Sequence, residues 1–251
     1  MKSLELKPTE ENLLNMFLQD SIGRNEELYY FVDLLNSIED NVSIVIDAQW
    51  GSGKTFFVKQ TKLILDAYND LNKDKSNDKL IKSKFESYKR NKEDLKIKDI
   101  ISVYYDAWKN DDDIDPILSI VYNIYTNLNK FYDSVSFEDR LFKAGKCLGA
   151  FVELVTGKDI NKFFNTVKEA IKIEEIWSEI EKQKELKKAV NDFFNSIIEE
   201  NQRLVIFVDE LDRCRPNFAV KLLERIKHYF DNDKITFVFS INALQLQHTI
   251  K

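Results

Sequence analysis

Residues 43–57 read SIVIDAQWGSGKTFF. Ser43-Ile44-Val45-Ile46 is a short apolar, β-branched run and predicts a fully buried strand. Small and polar residues follow, then Gly51-Ser52-Gly53-Lys54-Thr55, then Phe56-Phe57-Val58 at the start of a helix-like segment. Strand, glycine-rich turn and helix N-terminus come in the order that a phosphate-binding loop requires. Backbone N–H groups of such a loop can wrap a polyphosphate, and the helix N-terminus adds partial positive charge. Gly51 and Gly53 let the backbone come close with no Cβ in the way. Lys54 would reach the β- and γ-phosphates, and the Thr55 hydroxyl would hold Mg²⁺. The candidate phosphate-binding residues are therefore Ala48, Gln49, Trp50, Gly51, Ser52, Gly53, Lys54, Thr55 and Phe56. The usual pattern opens on glycine, where this chain has Ala48; alanine fits if its φ stays negative. The competing reading is a chance Gly-Lys-Thr in an ordinary turn, which the strand before it and the helix after it make less attractive.

Composition bounds the rest. A chain of 251 residues suffices for one large domain or a domain with an inserted subdomain. Hydrophobic content of 43% with 32% charged residues is that of a globular chain, not a disordered one. The net charge of −6 gives no global basic field for nucleic acid. Cys147 and Cys214 lie far apart without metal-ligand spacing, and fit a reducing compartment. The N-terminus, with Lys2, Glu5 and Lys7, does not read as a secretory signal, and no apolar run approaches a membrane span. A cytoplasmic protein is the expectation.

Outward from the loop, residues 9–40 predict two helices separated by Asp20-Ser21-Ile22-Gly23-Arg24. A Gly-Arg turn before a helix that leads into such a loop resembles the base-contacting entry segment of AAA-like NTPases; a plain helix–turn–helix explains it equally well. After the loop a helix is expected to about Leu71. Residues 73–98 hold ten Lys/Arg against five Asp/Glu. They read as a solvated helical insertion or loop more readily than as a basic arm for nucleic acid, because only Phe85 and Tyr88 are available for base stacking. Ile100 to Asp106 is a second strand. Asp115-Pro116 then starts a helix, with an N-cap acceptor and a proline in the first turn. Residues 131–200 read as a helical insertion. Gly145, Gly149 and Gly157 punctuate it, and Ile173, Ile176, Trp177, Ile180, Val190, Phe193, Phe194 and Ile197 mark amphipathic faces that packing explains.

A second constellation closes the pattern. Leu204-Val205-Ile206-Phe207-Val208 is the most apolar strand and ends in Asp209-Glu210. A carboxylate at the tip of a buried strand is costly unless something compensates it. The Mg²⁺ of a bound nucleotide would do so, with Asp209 holding the ion and Glu210 acting as general base toward water. Arg213 follows, either as a transition-state finger or as a partner of Asp212. Ile235 to Ile241 is a fourth strand, expected between the other two site strands. Asn242 at its tip would orient the lytic water or touch the γ-phosphate, or else cap the next helix.

Together these residues resemble the KAP family of P-loop NTPases. The likeness rests on Ala48-Gln49-Trp50-Gly51-Ser52-Gly53-Lys54-Thr55, on Tyr105-Asp106-Ala107-Trp108 with Asp115-Pro116, on Phe207-Val208-Asp209-Glu210-Leu211-Asp212-Arg213-Cys214, and on Phe237-Val238-Phe239-Ser240-Ile241-Asn242. It implies an α/β fold, a P-loop NTPase three-layer α/β/α sandwich on a mostly parallel sheet of the additional-strand class. The order visible here would be 1-4-3-2, with the fifth strand of 5-1-4-3-2 not seen and a helical insertion present. It also implies ATP and Mg²⁺ as cofactors. Some relatives carry membrane helices in the insertion; this sequence does not. Bacterial members linked to phage exclusion suggest a defence assembly, with a homo-oligomer, an effector or a further domain as partner. Two positions depart from the family pattern: Ala48 replaces glycine, and Glu210 stands where relatives often have Asp. The core is expected in residues 1–130 and 201–251, around the insertion at 131–200. Because the chain stops at Lys251, soon after the fourth strand, a fragment or trimmed domain is expected, with an unprotected first strand, limited stability and self-association. Three functions compete: an ATPase that drives or times an assembly, a nucleotide-gated switch, and a scaffold with a degenerate site. The intact Lys54, Thr55, Asp209 and Glu210 count against the last.

Overall fold

The apolar runs become four strands, β1 (Val42–Asp47), β2 (Ile100–Asp106), β3 (Arg203–Asp209) and β4 (Ile235–Ile241). They form one parallel sheet in the order β1-β4-β3-β2. The computed structural model describes residues 6–88, 97–113, 115–131, 135–156 and 175–250.

A parallel sheet must be covered on both faces. Side chains alternate across it, so Val205, Phe207 and Val238 face one helical layer: α1 (Glu10–Gln19), α2 (Asn25–Ser37), α3 (Lys54–Tyr68) and α4 (Asp78–Glu86). Leu204, Ile206, Val208, Ile235, Phe237 and Phe239 face the other, built from α5 (Pro116–Phe131), α6 (Val135–Thr156), α7 (Glu175–Ile197) and α8 (Pro216–Tyr229). A last helix, α9 (Ala243–Ile250), follows β4. The result is a three-layer α/β/α sandwich. Phe137, Leu141 and Leu148 of α6 and Val190, Phe193 and Phe194 of α7 join the same core as the sheet, so those helices pack. Among the described residues no helix is long and apolar enough to cross a membrane.

Local chemistry sets the helix ends. Thr9 caps α1 by accepting from the Asn12 N–H at 3.3 Å. Asp115 does the same for α5 through the Ile117 N–H at 2.9 Å. α3 ends at Tyr68, short of Leu71, because Asn69 turns aside: its Nδ2 donates to the Ile100 carbonyl and its Oδ1 accepts from the Leu71 N–H, both at 2.9 Å.

Two expectations need correction. β1 is not the fully buried strand that its apolar run predicts; it is the sheet edge that the order 1-4-3-2 implies, and Val45 is 54% exposed. Val45 stands beside Phe239 in register, on the face that α5–α8 cover, but no residue of β1 enters that layer's core. The basic segment is not simply a solvated insertion. Ile81 and Phe85, one turn apart, bury α4 against α1–α3, and the Tyr88 hydroxyl donates to Asp20 Oδ2 at 2.9 Å. Residues 89–96 of that segment, the N-terminal residues 1–5, Gly157 and Ile173 lie outside the described residues, as do the side chains of Ile176, Trp177 and Ile180.

Candidate functional site

The turn between β1 and α3 is held by its own backbone. Ala48 N–H donates to Ile241 O at 3.1 Å, which carries the β1–β4 pairing into the loop, and Ser52 N–H donates to Gln49 O at 3.3 Å. Gly51 and Gly53 take φ of +78° and +86°, the left-handed region in which a Cβ is strained. Ala48 is not among the described residues with positive φ, so alanine fits where the common pattern has glycine. Lys54 folds back over the loop: its Nζ donates to Ala48 O at 2.6 Å and to Gln49 O at 3.1 Å. Arg24, just before α2, donates from Nη1 to Ser52 O at 2.9 Å. The Gly-Arg turn is thus joined to the loop directly. Phe56 lies half-buried in the first turn of α3.

The tip of β3 lies against this loop. Asp209 is 1% exposed, and its Oδ2 accepts from the Thr55 hydroxyl at 2.8 Å. Its Oδ1 accepts from Glu210 N–H at 3.0 Å. Residues 154 positions apart in the chain therefore meet. The sequence motifs required this convergence, with β4 between the two site strands. A family model for the KAP family P-loop domain matches residues 24–251. The chain belongs to the KAP family of P-loop NTPases. No curated protein sequence matches it.

In this KAP domain the turn after β3 is more tightly engaged than its sequence suggests. Glu210 has φ of +61°, a left-handed conformation costing a non-glycine residue about 1 kcal/mol or more. It opens a single 3₁₀ turn over Leu211–Arg213. Side chains three apart eclipse in such a turn, and Arg213 Nε lies 2.5 Å from Glu210 Oε2. Of the two readings of Arg213, the one that pairs it with Asp212 is thereby corrected. Asp212 is buried and accepts instead from the Trp50 indole N–H at 2.6 Å. The Arg213 guanidinium also stacks 5.5 Å from each of the Trp50 and Trp108 rings. Trp50 and Trp108, the distinctive tryptophans of the loop and of the turn after β2, thus flank one arginine.

The electrostatics follow from burial. Glu210 is pushed above the ordinary glutamate value by burial and then by Asp209, while Arg213 pulls the other way. Asp106 stands opposite Asp209 in register, and Lys109 Nζ neutralises it at 2.9 Å. Lys59, half-buried one turn along α3 from Thr55, sits 4.5 Å over the Tyr104 ring. Burial and Lys109 lower its pKa, and Asp209, Asp106 and Glu210 oppose that. Burial and the Asp209 charge push the Tyr104 phenol well above its ordinary range. Cys214 is a buried thiol pushed up to about 12, chiefly by burial.

Asn242 behaves as a helix cap: its Oδ1 accepts from Gln245 N–H at 3.2 Å and its carbonyl from Leu246 N–H at 2.9 Å. Sequence reasoning singled out the Gly-Arg turn but not the Arg24–Ser52 bond, nor Lys59, Tyr104 or the Trp50–Asp212 bond. Tyr104 in particular looks like ordinary strand filler, because aromatics are common in strands.

Proposed function

We propose that this KAP domain binds ATP together with Mg²⁺ and hydrolyses it. One observation carries the proposal: the Thr55 hydroxyl, at the start of the loop's helix, donates to the buried Asp209 carboxylate at 2.8 Å. The residues fit the ion. A carboxylate and a hydroxyl are hard oxygen donors, and Mg²⁺ is usually held by one or two carboxylates plus substrate phosphates. Among the described residues no group of three or more His, Cys, Asp or Glu could hold a metal alone, so the phosphates would complete the set. The buried Ser52 and Ser240 hydroxyls have no hydrogen-bond partner, as suits donors placed for a ligand.

In this reading the backbone of residues 48–55 cradles the phosphates, and Lys54 exchanges its loop carbonyls for them. Thr55 and Asp209 hold Mg²⁺, which when bound neutralises charge on the phosphate oxygens. Glu210 orients water and accepts its proton at a carboxylate oxygen. Arg213 serves as finger only after leaving Glu210, and Asn242 is the remaining candidate at the water. Adenine as the base, and a defence assembly as what hydrolysis drives or times, are carried by the family resemblance. Calorimetric titration with ATP and Mg²⁺ is expected to show saturable binding that Lys54→Ala weakens about a hundredfold, since charge-assisted hydrogen bonds are lost. Equal affinity in the variant overturns the proposal.

A second reading is favoured by one observation. Glu210 is engaged by Arg213 at 2.5 Å, which suits a nucleotide-gated switch with little turnover. Light scattering with and without ATP separates the two: the switch changes its assembled mass, and the steady-state enzyme hydrolyses without doing so.

A further inference from the structure

Strand β2 carries two adjacent tyrosines that point to opposite faces. Tyr105 is buried in the core of the α5–α8 face, its hydroxyl 2.7 Å from Ser119 Oγ. Tyr104 faces the α3 side, and its hydroxyl donates to Asp209 Oδ2 at 2.9 Å. In the sheet Tyr104 pairs with Phe207, so Asp209 is its diagonal neighbour on the same face, a span that a long aromatic side chain covers.

Three donors therefore converge on Asp209: Glu210 N–H at Oδ1, and the hydroxyls of Thr55 and Tyr104 at Oδ2. A carboxylate offers about four acceptor directions, so most are committed. The Tyr104 ring packs at the margin of the core on the α1–α4 face, and its hydroxyl reaches from there to Asp209. Tyr104 is half-buried and lines an open cleft of about 860 Å³ along α3, with Lys59, Leu63 and Asn127 among its walls. Phenylalanine would fill the same volume, so the hydroxyl contributes only through Asp209.

We infer that Tyr104 is a positioning residue for the divalent cation: it holds Asp209 against Thr55 so that the carboxylate is set for Mg²⁺ before nucleotide arrives. The inference rests on the nucleotide-binding reading above and deepens it. Partners of this kind, one bond behind a metal ligand, typically govern metal affinity by about ten- to a hundredfold.

The test measures binding, not turnover. Affinity for a fluorescent ATP analogue is measured in EDTA and across a Mg²⁺ titration, for the parent chain, Tyr104→Phe and Tyr105→Phe. In Tyr104→Phe the affinity in EDTA is expected to match the parent, while the Mg²⁺ concentration giving half of the Mg²⁺-dependent gain rises about tenfold. Tyr105→Phe removes a hydroxyl from the neighbouring position and is expected to leave the Mg²⁺ titration at the parent value; a general loosening of β2 would move both. A parent-like titration in Tyr104→Phe, or an equal shift in both variants, overturns the inference alone. A parent chain that binds no nucleotide in either condition overturns the inference together with the reading beneath it.

Discussion

The loop after β1 and the turn after β3 do neighbouring work on opposite foundations. The loop leaves an edge strand whose Val45 is 54% exposed, whereas the turn leaves a strand buried along its whole length. The loop is built of backbone: glycines at positive φ, carbonyls that receive Lys54 and Arg24, and N–H groups at a helix start. The turn is built of side chains: Glu210 on Arg213, Asp212 on Trp50, and a guanidinium between two indoles. A backbone device writes itself into sequence as glycine and a fixed spacing. A side-chain device has several partners within reach and leaves the choice among them to packing.

The contrast breaks first at Glu210. If the turn's side chains carry chemistry while the loop carries binding, Glu210→Gln should leave ATP affinity within about threefold of the parent. Hydrolysis should fall by roughly 10²–10⁴-fold, the usual contribution of a general base. Phosphate release by the variant at the parent rate would remove Glu210 from the chemistry.

Arg213→Ala sharpens the comparison through pH. A general base must be deprotonated, so hydrolysis falls as pH drops through the Glu210 value. Burial and Asp209 raise that value, and Arg213 holds it down. Without the guanidinium the acid limb of the rate profile is expected at higher pH than in the parent. A stationary limb, or one moved to lower pH, would show that the 2.5 Å pair is not what sets Glu210. The plateau adds a second result. A transition-state finger takes about 10³-fold or more with it, whereas a guanidinium that only restrains the base leaves the plateau intact or raised. Linkage has a matching sign: a carboxylate whose folded value is raised keeps extra protons in the native state, so its contribution to stability declines as pH rises through that window.

Much of the architecture was legible. Four apolar runs marked the strands, because parallel strands buried on both faces are nearly continuous in Val, Ile, Leu and Phe; their order came from the family resemblance. The meeting of Thr55 with Asp209 was legible for a different reason: the roles proposed for them need a helix start and a strand end side by side. The apolar run of β1 by itself read as a buried strand, since an edge strand and a central one can share such a run, whereas the order 1-4-3-2 implied by the resemblance left it at the edge. Phe85 and Ile81 were hidden by the lysines around them, which made α4 look solvated. Tyr104 and Asp212 were not legible at all. Each acts through a partner more than a hundred positions away, and a single hydroxyl or carboxylate carries no mark of which distant atom it will meet.

Asn242 gives the smallest expected effect and the finest test of the contrast, because it stands where the backbone and side-chain accounts overlap. Its Oδ1 caps α9 through Gln245 N–H at 3.2 Å, a backbone service, yet it also closes the strand between the two site strands. Asn242→Ala removes cap and amide together. Loss of an N-cap costs about 1 kcal/mol, and in a chain of this size that lowers the melting temperature by roughly 2–4 °C. Asn242→Ser separates the functions, since serine caps about as well as asparagine but has no amide. If Asn242 only caps, the serine variant melts with the parent and hydrolyses within about twofold of it. A serine variant that keeps parental melting while losing hydrolysis would assign the amide to the water or the γ-phosphate, and would make the end of β4 a third working edge of the site.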